Sequence, residues 1–115
     1  MKLLIIVNSS PWGTSLGLTA LRFARAAVAE GMTVPAVFFR EDGVFHTQRG
    51  RVAQAGTPEL ADAWPEFALS CGAQLLVCRS SGQRNLAESP GEAFREAGLA
   101  EMMELMAASD HVVSW

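Results

Sequence analysis

The chain has 115 residues, a length that fits one folded domain with a sizeable core. Half of the residues are apolar, and the formal net charge is -3 without any run of Lys or Arg, so neither a nucleic acid nor an anionic membrane surface is indicated as a partner. No segment approaches the roughly 20 apolar residues of a membrane span. The opening stretch reads as a strand and not as a signal peptide, so we expect a soluble, cytoplasmic protein.

The first half of the chain alternates between strand and helix patterns. Residues 3–7 are continuously apolar, which is typical of a central parallel strand. A polar loop over 8–15 leads into a helix predicted from about Ser15 to Glu30. A second strand is predicted over Thr33–Phe39. His46 follows in a polar stretch, where we expect a solvated histidine.

The middle of the chain predicts a helix and a third strand. Thr57 and Pro58 form a favourable helix entry, an N-cap threonine followed by proline in the first turn. Pro65 lies inside this helix, so we expect a kink or a restart there. Gly72 ends the helix, and Gln74–Cys78 is the third strand.

The last part of the chain predicts two helices and a final strand. Ser89–Glu92 has the spacing of a capping box and predicts a short helix to about Ala97. A second helix after Gly98 carries a stripe of large apolar side chains, which is typical of a core or a subunit interface. The members of the stripe are Leu99, Met102, Met103 and Met106. His111–Trp115 closes the chain as a strand.

The order of these elements predicts an α/β fold. Strands that alternate with segments of helical length form a mainly parallel sheet covered by helices on both faces. We therefore expect a three-layer α/β/α sandwich with four to five strands.

The candidate reactive residue is Cys78, at the end of the third strand. Ligands of open α/β sheets bind at the carboxyl ends of the strands. Residues Arg79–Gly82, directly after Cys78, are predicted to form a polar loop. The backbone N–H groups of this loop and the guanidinium groups of Arg79 and Arg84 would stabilise a thiolate at Cys78. On residues alone, a second interpretation stays open, in which Cys78 is a small hydrophobic residue in the core.

Three other features carry weaker chemistry. The glycines at positions 13 and 17 could cradle a phosphate, as in a flavodoxin-like mononucleotide module, but the P-loop lysine is missing. His111, at the start of a strand, is expected to be structural. Cys71 and Cys78 match no common metal-ligand spacing, and the extended strand between them would separate them by about 13 Å, so neither a metal site nor an internal disulfide is expected.

Several stretches together resemble the DsrE/TusD family of sulfur-relay proteins, which share a DsrE/DsrF-like fold. These stretches follow one another in the order that the family shows. They are Lys2–Val7 with Pro11–Thr14, Ala29–Gly31, Val37–Phe45, Ala63–Trp64, Leu75–Cys78 and Ser109–Val113. Nearly the whole chain takes part, so the resemblance implies a single DsrE-like domain over residues 1–115.

The resemblance also implies an activity. Cys78 matches the family's catalytic cysteine, which accepts sulfur as a persulfide and passes it to a partner thiol without a cofactor, whereas Cys71 does not match and is treated as structural. The family serves tRNA thiolation or sulfur oxidation. The segment between Arg84 and Leu99 looks shorter than in the family, and we expect it to lack a short strand.

Partners follow from the same resemblance. The expected subunits are DsrF/DsrH-like or TusC/TusB-like proteins in a hetero-hexamer, or further copies of this chain in a homo-oligomer. A sulfur donor protein and a DsrC/TusE-like acceptor protein are also expected. No direct contact with nucleic acid or membrane is expected. The alternative is a non-catalytic DsrE-like oligomeric binding or structural subunit in which Cys78 is inert.

Overall fold

The structure, a computed structural model, describes residues 1–48, 59–86 and 89–115. Within these ranges the strands are β1 (Leu3–Val7), β2 (Ala36–Phe39), β3 (Gln74–Cys78), β4 (Phe94–Ala97) and β5 (His111–Ser114). The helices are α1 (Leu16–Ala29), α2 (Leu60–Cys71), α3 (Arg79–Asn85) and α4 (Leu99–Ala108), with a 3₁₀ helix over Glu41–Thr47. The longest of them, α1, has 14 residues, fewer than the roughly 20 that a bilayer-spanning helix needs.

The described strands form one parallel sheet with the order β4-β3-β2-β1-β5. Because successive side chains of a strand point to opposite faces, each central strand contributes to two cores. In β1, Leu3, Ile5 and Val7 pack with α1 and α2, whereas Leu4 and Ile6 pack on the side of α4. The sheet therefore lies between α1 and α2 on one face and α4 on the other, which confirms the predicted α/β/α class.

One glycine sets how closely the chain after β2 approaches β1. The Val7 carbonyl accepts a hydrogen bond from the Arg40 N–H at 2.9 Å, and Gly43 lies against the same carbonyl. A Cβ at position 43 would overlap the Val7 oxygen, so only glycine fits there. This contact holds the 3₁₀ helix at the carboxyl edge of the sheet.

The prediction of a short helix up to Ala97 is wrong, because Phe94–Ala97 forms strand β4. This strand pairs with β3 in register from Leu75 opposite Phe94 to Cys78 opposite Ala97. The Phe94 ring packs edge-on against Phe39, with ring centroids 5.7 Å apart. Backbone pairing and this contact outweigh the local helical pattern. The strand expected to be missing from this segment is therefore present.

Two further predictions need correction near the carboxyl edge. Arg79–Gly82 is not a loop, because it forms the first part of α3. His46 is not solvated, because it is completely buried between the sheet and α2. The helix entry at Thr57 and Pro58 lies outside the described residues, and from Leu60 onward α2 passes through Pro65 as one helix rather than restarting.

The apolar stripe of α4 is divided between the core and the surface. Met102 is buried against the sheet. The other members, which we expected to face inward or to form an interface, remain open to solvent in the isolated chain. Their exposed fractions are 45% for Leu99, 66% for Met103 and 40% for Met106.

Candidate functional site

Cys78 is the last residue of β3, at the carboxyl edge of the sheet. Alternation along the strand turns its side chain toward α4, where it packs in one core with Ala97 and Met102. Only 2% of the residue is exposed. Sulfur chemistry at Cys78 therefore requires a local opening that brings Sγ to the surface.

Two serines follow Cys78 in the first turn of α3. The Ser80 hydroxyl lies 3.4 Å from Cys78 Sγ, and Ser81 is the next residue of the helix. Burial raises the pKa of Cys78, but hydrogen bonds from the side chains and backbone N–H groups of Ser80 and Ser81 outweigh it, so the pKa lies below its ordinary value. A lowered pKa increases the fraction of nucleophilic thiolate at neutral pH.

The arginines predicted to stabilise this thiolate have other contacts. Arg84 Nη2 donates to the Glu41 carboxylate at 3.3 Å and to Ser81 Oγ at 3.4 Å. Arg79 lies beside Gly98 and Glu101. The pKa of Cys78 is lowered by serine hydrogen bonds and not by guanidinium charge. The sequence signal for this arrangement was the pair of serines two and three residues after the cysteine.

Glu41 connects the 3₁₀ helix to the first turn of α3. Its φ is 48°, in the left-handed region that residues other than glycine rarely adopt. Its backbone N–H donates a hydrogen bond to Ser81 Oγ at 3.1 Å, and its carboxylate accepts a hydrogen bond from the Arg84 guanidinium. A backbone conformation of this kind costs about 1–2 kcal/mol and persists only where surrounding contacts hold it.

His46 belongs to a buried network on the other face of the sheet. Trp64 Nε1–H donates to His46 Nδ1 at 3.0 Å, so His46 carries its proton on Nε2 and donates it to the Ser9 carbonyl at 2.9 Å. Burial lowers the pKa of His46 to about 4 despite the bond to Ser9. The ring is therefore a neutral structural group.

The remaining candidate residues lie away from Cys78. His111 begins β5, so in a parallel sheet it lies at the amino edge, opposite the edge where Cys78 lies. Cys71 is half-buried in α2, where its thiol donates to the Phe67 carbonyl at 3.3 Å, and it packs against the core on the α1 and α2 side. Both cysteines are free thiols.

The loop after β1 lines a cavity of about 290 Å³ together with the 3₁₀ helix. Its lining residues are Ser10, Trp12, Gly13, Asp42 and Phe45. The Asp42 carboxylate makes this cavity unfavourable for a phosphate, because like charges repel. Within the described ranges, no group of three His, Cys, Asp or Glu side chains is placed to hold a metal ion.

Together, these features define an α/β/α protein with a buried, hydrogen-bonded cysteine at the carboxyl edge of a parallel sheet. The model of the DsrE/DsrF-like family matches residues 1–115, and the chain belongs to this family.

Relatives and a solved structure agree with this assignment. The chain is 29% identical over 128 residues to the sulfurtransferase TusD homolog of Vibrio vulnificus strain YJ016, covering 100% of this chain and 98% of that protein. It is 27% identical over 126 residues to the putative sulfurtransferase DsrE of Allochromatium vinosum, covering 98% of this chain and 97% of that protein. The fold matches the crystal structure of the ychN protein from E. coli with a TM-score of 0.85 at 18% identity, over 100% of this chain and 99% of that one.

Proposed function

We propose that this protein is the sulfur-carrying subunit of a sulfur relay and that Cys78 is its catalytic residue. The main support for this proposal is the hydrogen-bonded Cys78 thiol at the end of β3, whose pKa is lowered, in a chain whose relatives are named sulfurtransferases. Such a thiol is suited to nucleophilic attack on sulfur. The relay serves tRNA thiolation or sulfur oxidation.

The reaction needs only thiols and persulfides. The Cys78 thiolate attacks the outer sulfur of a donor persulfide, the donor's S–S bond breaks, and the donor leaves as a thiolate while Cys78 becomes a persulfide. An acceptor thiolate then attacks the outer sulfur on Cys78, which restores the Cys78 thiolate and leaves the persulfide on the acceptor. Neither step consumes an external oxidant or reductant, because each step breaks one S–S bond and forms another.

The experiment is persulfide loading of matched cysteine variants. Native protein is exposed briefly to a small-molecule persulfide donor, and intact mass is measured with and without reductant. Cys78→Ser is expected to lose the reducible gain of one sulfur atom, whereas Cys71→Ser keeps it, because the pKa of Cys78 is lowered by its serine neighbours. Equal loading of the two variants would refute the assignment.

The burial of Cys78 favours a second candidate function. With 2% of the residue exposed, Cys78 could be inert and the chain could act as a binding or structural subunit. Alkylation of native protein separates the two functions, because an inert thiol reacts only after denaturation. Reaction of Cys78 in the native state at near-neutral pH would support the carrier.

We also propose that the protein works in an assembly, either with DsrF/DsrH-like or TusC/TusB-like subunits or with its own copies. The exposed apolar side chains of α4 support an interface, since Leu99, Met103 and Met106 recur at helical spacing on one face. Sulfur would arrive from a donor protein and leave to a DsrC/TusE-like acceptor. Light scattering of the purified chain, alone and mixed with such subunits, measures the assembly.

A further inference from the structure

The Arg40 side chain holds a hydrogen-bond donor that none of the described residues uses. Its Nε–H is buried and makes no hydrogen bond. Within residues 1–48, 59–86 and 89–115 it is the one buried side-chain nitrogen or oxygen in this condition. Folded proteins pair nearly all such groups, because an unpaired buried donor destabilises the folded chain. The Nε–H is therefore free to bind an acceptor that comes within reach.

The charge of Arg40 is also weakly paired. Its Nη2 lies 4.0 Å from Glu41 Oε1, beyond hydrogen-bond distance. The Glu41 carboxylate accepts shorter contacts from Arg84 Nη2, at 3.3 and 3.4 Å. The contact between Arg40 and Glu41 also lies near solvent, since 31% and 54% of these two side chains are exposed, and ion pairs of this kind contribute little to stability. A structural salt bridge does not explain Arg40.

The strand register places Arg40 beside Cys78. β2 and β3 pair as far as Phe39 opposite Val77. Arg40 continues β2 by one residue, because its backbone is extended (φ -128°, ψ 164°) and its N–H bonds the Val7 carbonyl of β1. The next position in the same register is Arg40 opposite Cys78. Neighbouring strands lie about 4.8 Å apart, so the two side chains begin within a few ångströms of each other.

Both side chains leave the sheet on the same face. Phe38 and Cys78 belong to one core, on the side of α4. Arg40 follows Phe38 by two residues, and side chains two residues apart on an extended strand share a face. Arg84, in contrast, lies on α3, beyond the end of the strand. Arg40 is thus the arginine that the sheet itself holds next to the thiol.

We infer that Arg40 is a further catalytic residue, whose unpaired Nε–H donates a hydrogen bond to the outer sulfur of the Cys78 persulfide. This role rests on the function proposed above. The outer sulfur extends the Cys78 side chain by one S–S bond, about 2 Å, so a group that does not bond Sγ can bond the added atom. When the persulfide is ionised, its negative charge lies on that atom, and a charge at the edge of a core needs a hydrogen-bonding partner. The thiol itself already has Ser80 as its partner.

The test is the equilibrium of sulfur exchange between Cys78 and a small-molecule persulfide. Full-length Cys71→Ser protein is the parent, so that any added sulfur in the intact mass lies on the remaining cysteine, Cys78. The protein is kept with a fixed ratio of persulfide to its parent thiol until the loaded fraction is constant. Urea below the unfolding transition lets the buried thiol exchange through local opening. Slow access then changes the time required and not the final loaded fraction.

Arg40→Met is expected to lower the equilibrium constant for loading by about tenfold, the lower end for a hydrogen bond to a charged group. Arg84→Met is the matched control, because it removes the same charge from an arginine that binds Glu41, and it should lower the constant by less than about threefold. Arg40→Met should also unfold at the same urea concentration as the parent or at a higher one, since an unpaired buried donor is removed. A structural arginine would give the opposite change in stability.

An unchanged loading equilibrium in folded Arg40→Met, or equal losses in Arg40→Met and Arg84→Met, would overturn the inference. If Arg40→Met does not fold, Arg40→Lys decides, because lysine keeps the charge but has no Nε–H. A loss of about tenfold in Arg40→Lys supports donation by Nε, and an unchanged constant contradicts it.

The proposed function is tested separately, by brief exposure of the parent to the persulfide without urea. If this exposure leaves Cys78 unloaded while the effect of Arg40 on the equilibrium is present, the proposed function alone is refuted. A parent that holds no sulfur even at equilibrium contradicts both.

Discussion

Stability should fall as the pH decreases because His46 is buried as a neutral ring. Its folded pKa is about 4 and its ordinary value is 6.5, so between these values the unfolded chain binds the proton and the folded chain does not. The stabilisation is complete above pH 6.5 and is lost as the pH falls toward 4. Two-state linkage gives a loss of about 2 kcal/mol in unfolding free energy between pH 7 and pH 5.

Urea denaturation at the two pH values measures this loss. The groups that hold His46, the Trp64 indole N–H and the Ser9 carbonyl, are neutral, and so is the neighbouring Phe39 ring. His46→Gln is expected to be less stable at pH 7 but to show little further change at pH 5. His111→Gln, at an exposed position, serves as the matched control and keeps the pH dependence. Equal unfolding free energies of the unsubstituted protein at pH 7 and pH 5 would refute the reasoning.

Two further substitutions test the fold and the proposed interface. Gly43→Ala should lower the unfolding free energy in urea denaturation by at least about 3 kcal/mol, because the added Cβ meets the Val7 carbonyl. Gly82→Ala is the control and should leave the unfolding free energy unchanged, because there is room for its Cβ. Similar losses of unfolding free energy in the two variants would contradict the close approach of Gly43 to Val7. Met103→Glu should leave the unfolding free energy within about 0.5 kcal/mol but reduce assembly in light scattering. Glu104→Gln on the same helix is the control, and an unchanged assembly with Met103→Glu would exclude this face.

The parallel sheet could be predicted because its central strands are marked by local sequence signals, namely short hydrophobic runs and glycines that end the preceding helices. β1 and β3 are short apolar runs, and Gly72 ends α2 with a φ of 79° as predicted. β4 was missed because its signal is not local. An edge strand is held by pairing and by a few core contacts, here through Phe94, while the sequence around it has helix-capping residues.

The candidate site shows the same division. The position of Cys78 at a strand end could be read from the sequence, since the apolar run stops there. Its surroundings could not, because they depend on Glu41, which is 40 residues from Ser81 in the chain. The burial of His46 was missed for the same reason, because its partner Trp64 belongs to another helix.

The most direct test of the account is peptide mapping of native protein after brief exposure to a persulfide donor. We expect a gain of one sulfur atom on the peptide that contains Cys78, which reductant removes and which passes to an acceptor thiol when one is added. A native, assembled sample with its Cys78 peptide unmodified, or with the sulfur on Cys71 instead, would contradict it.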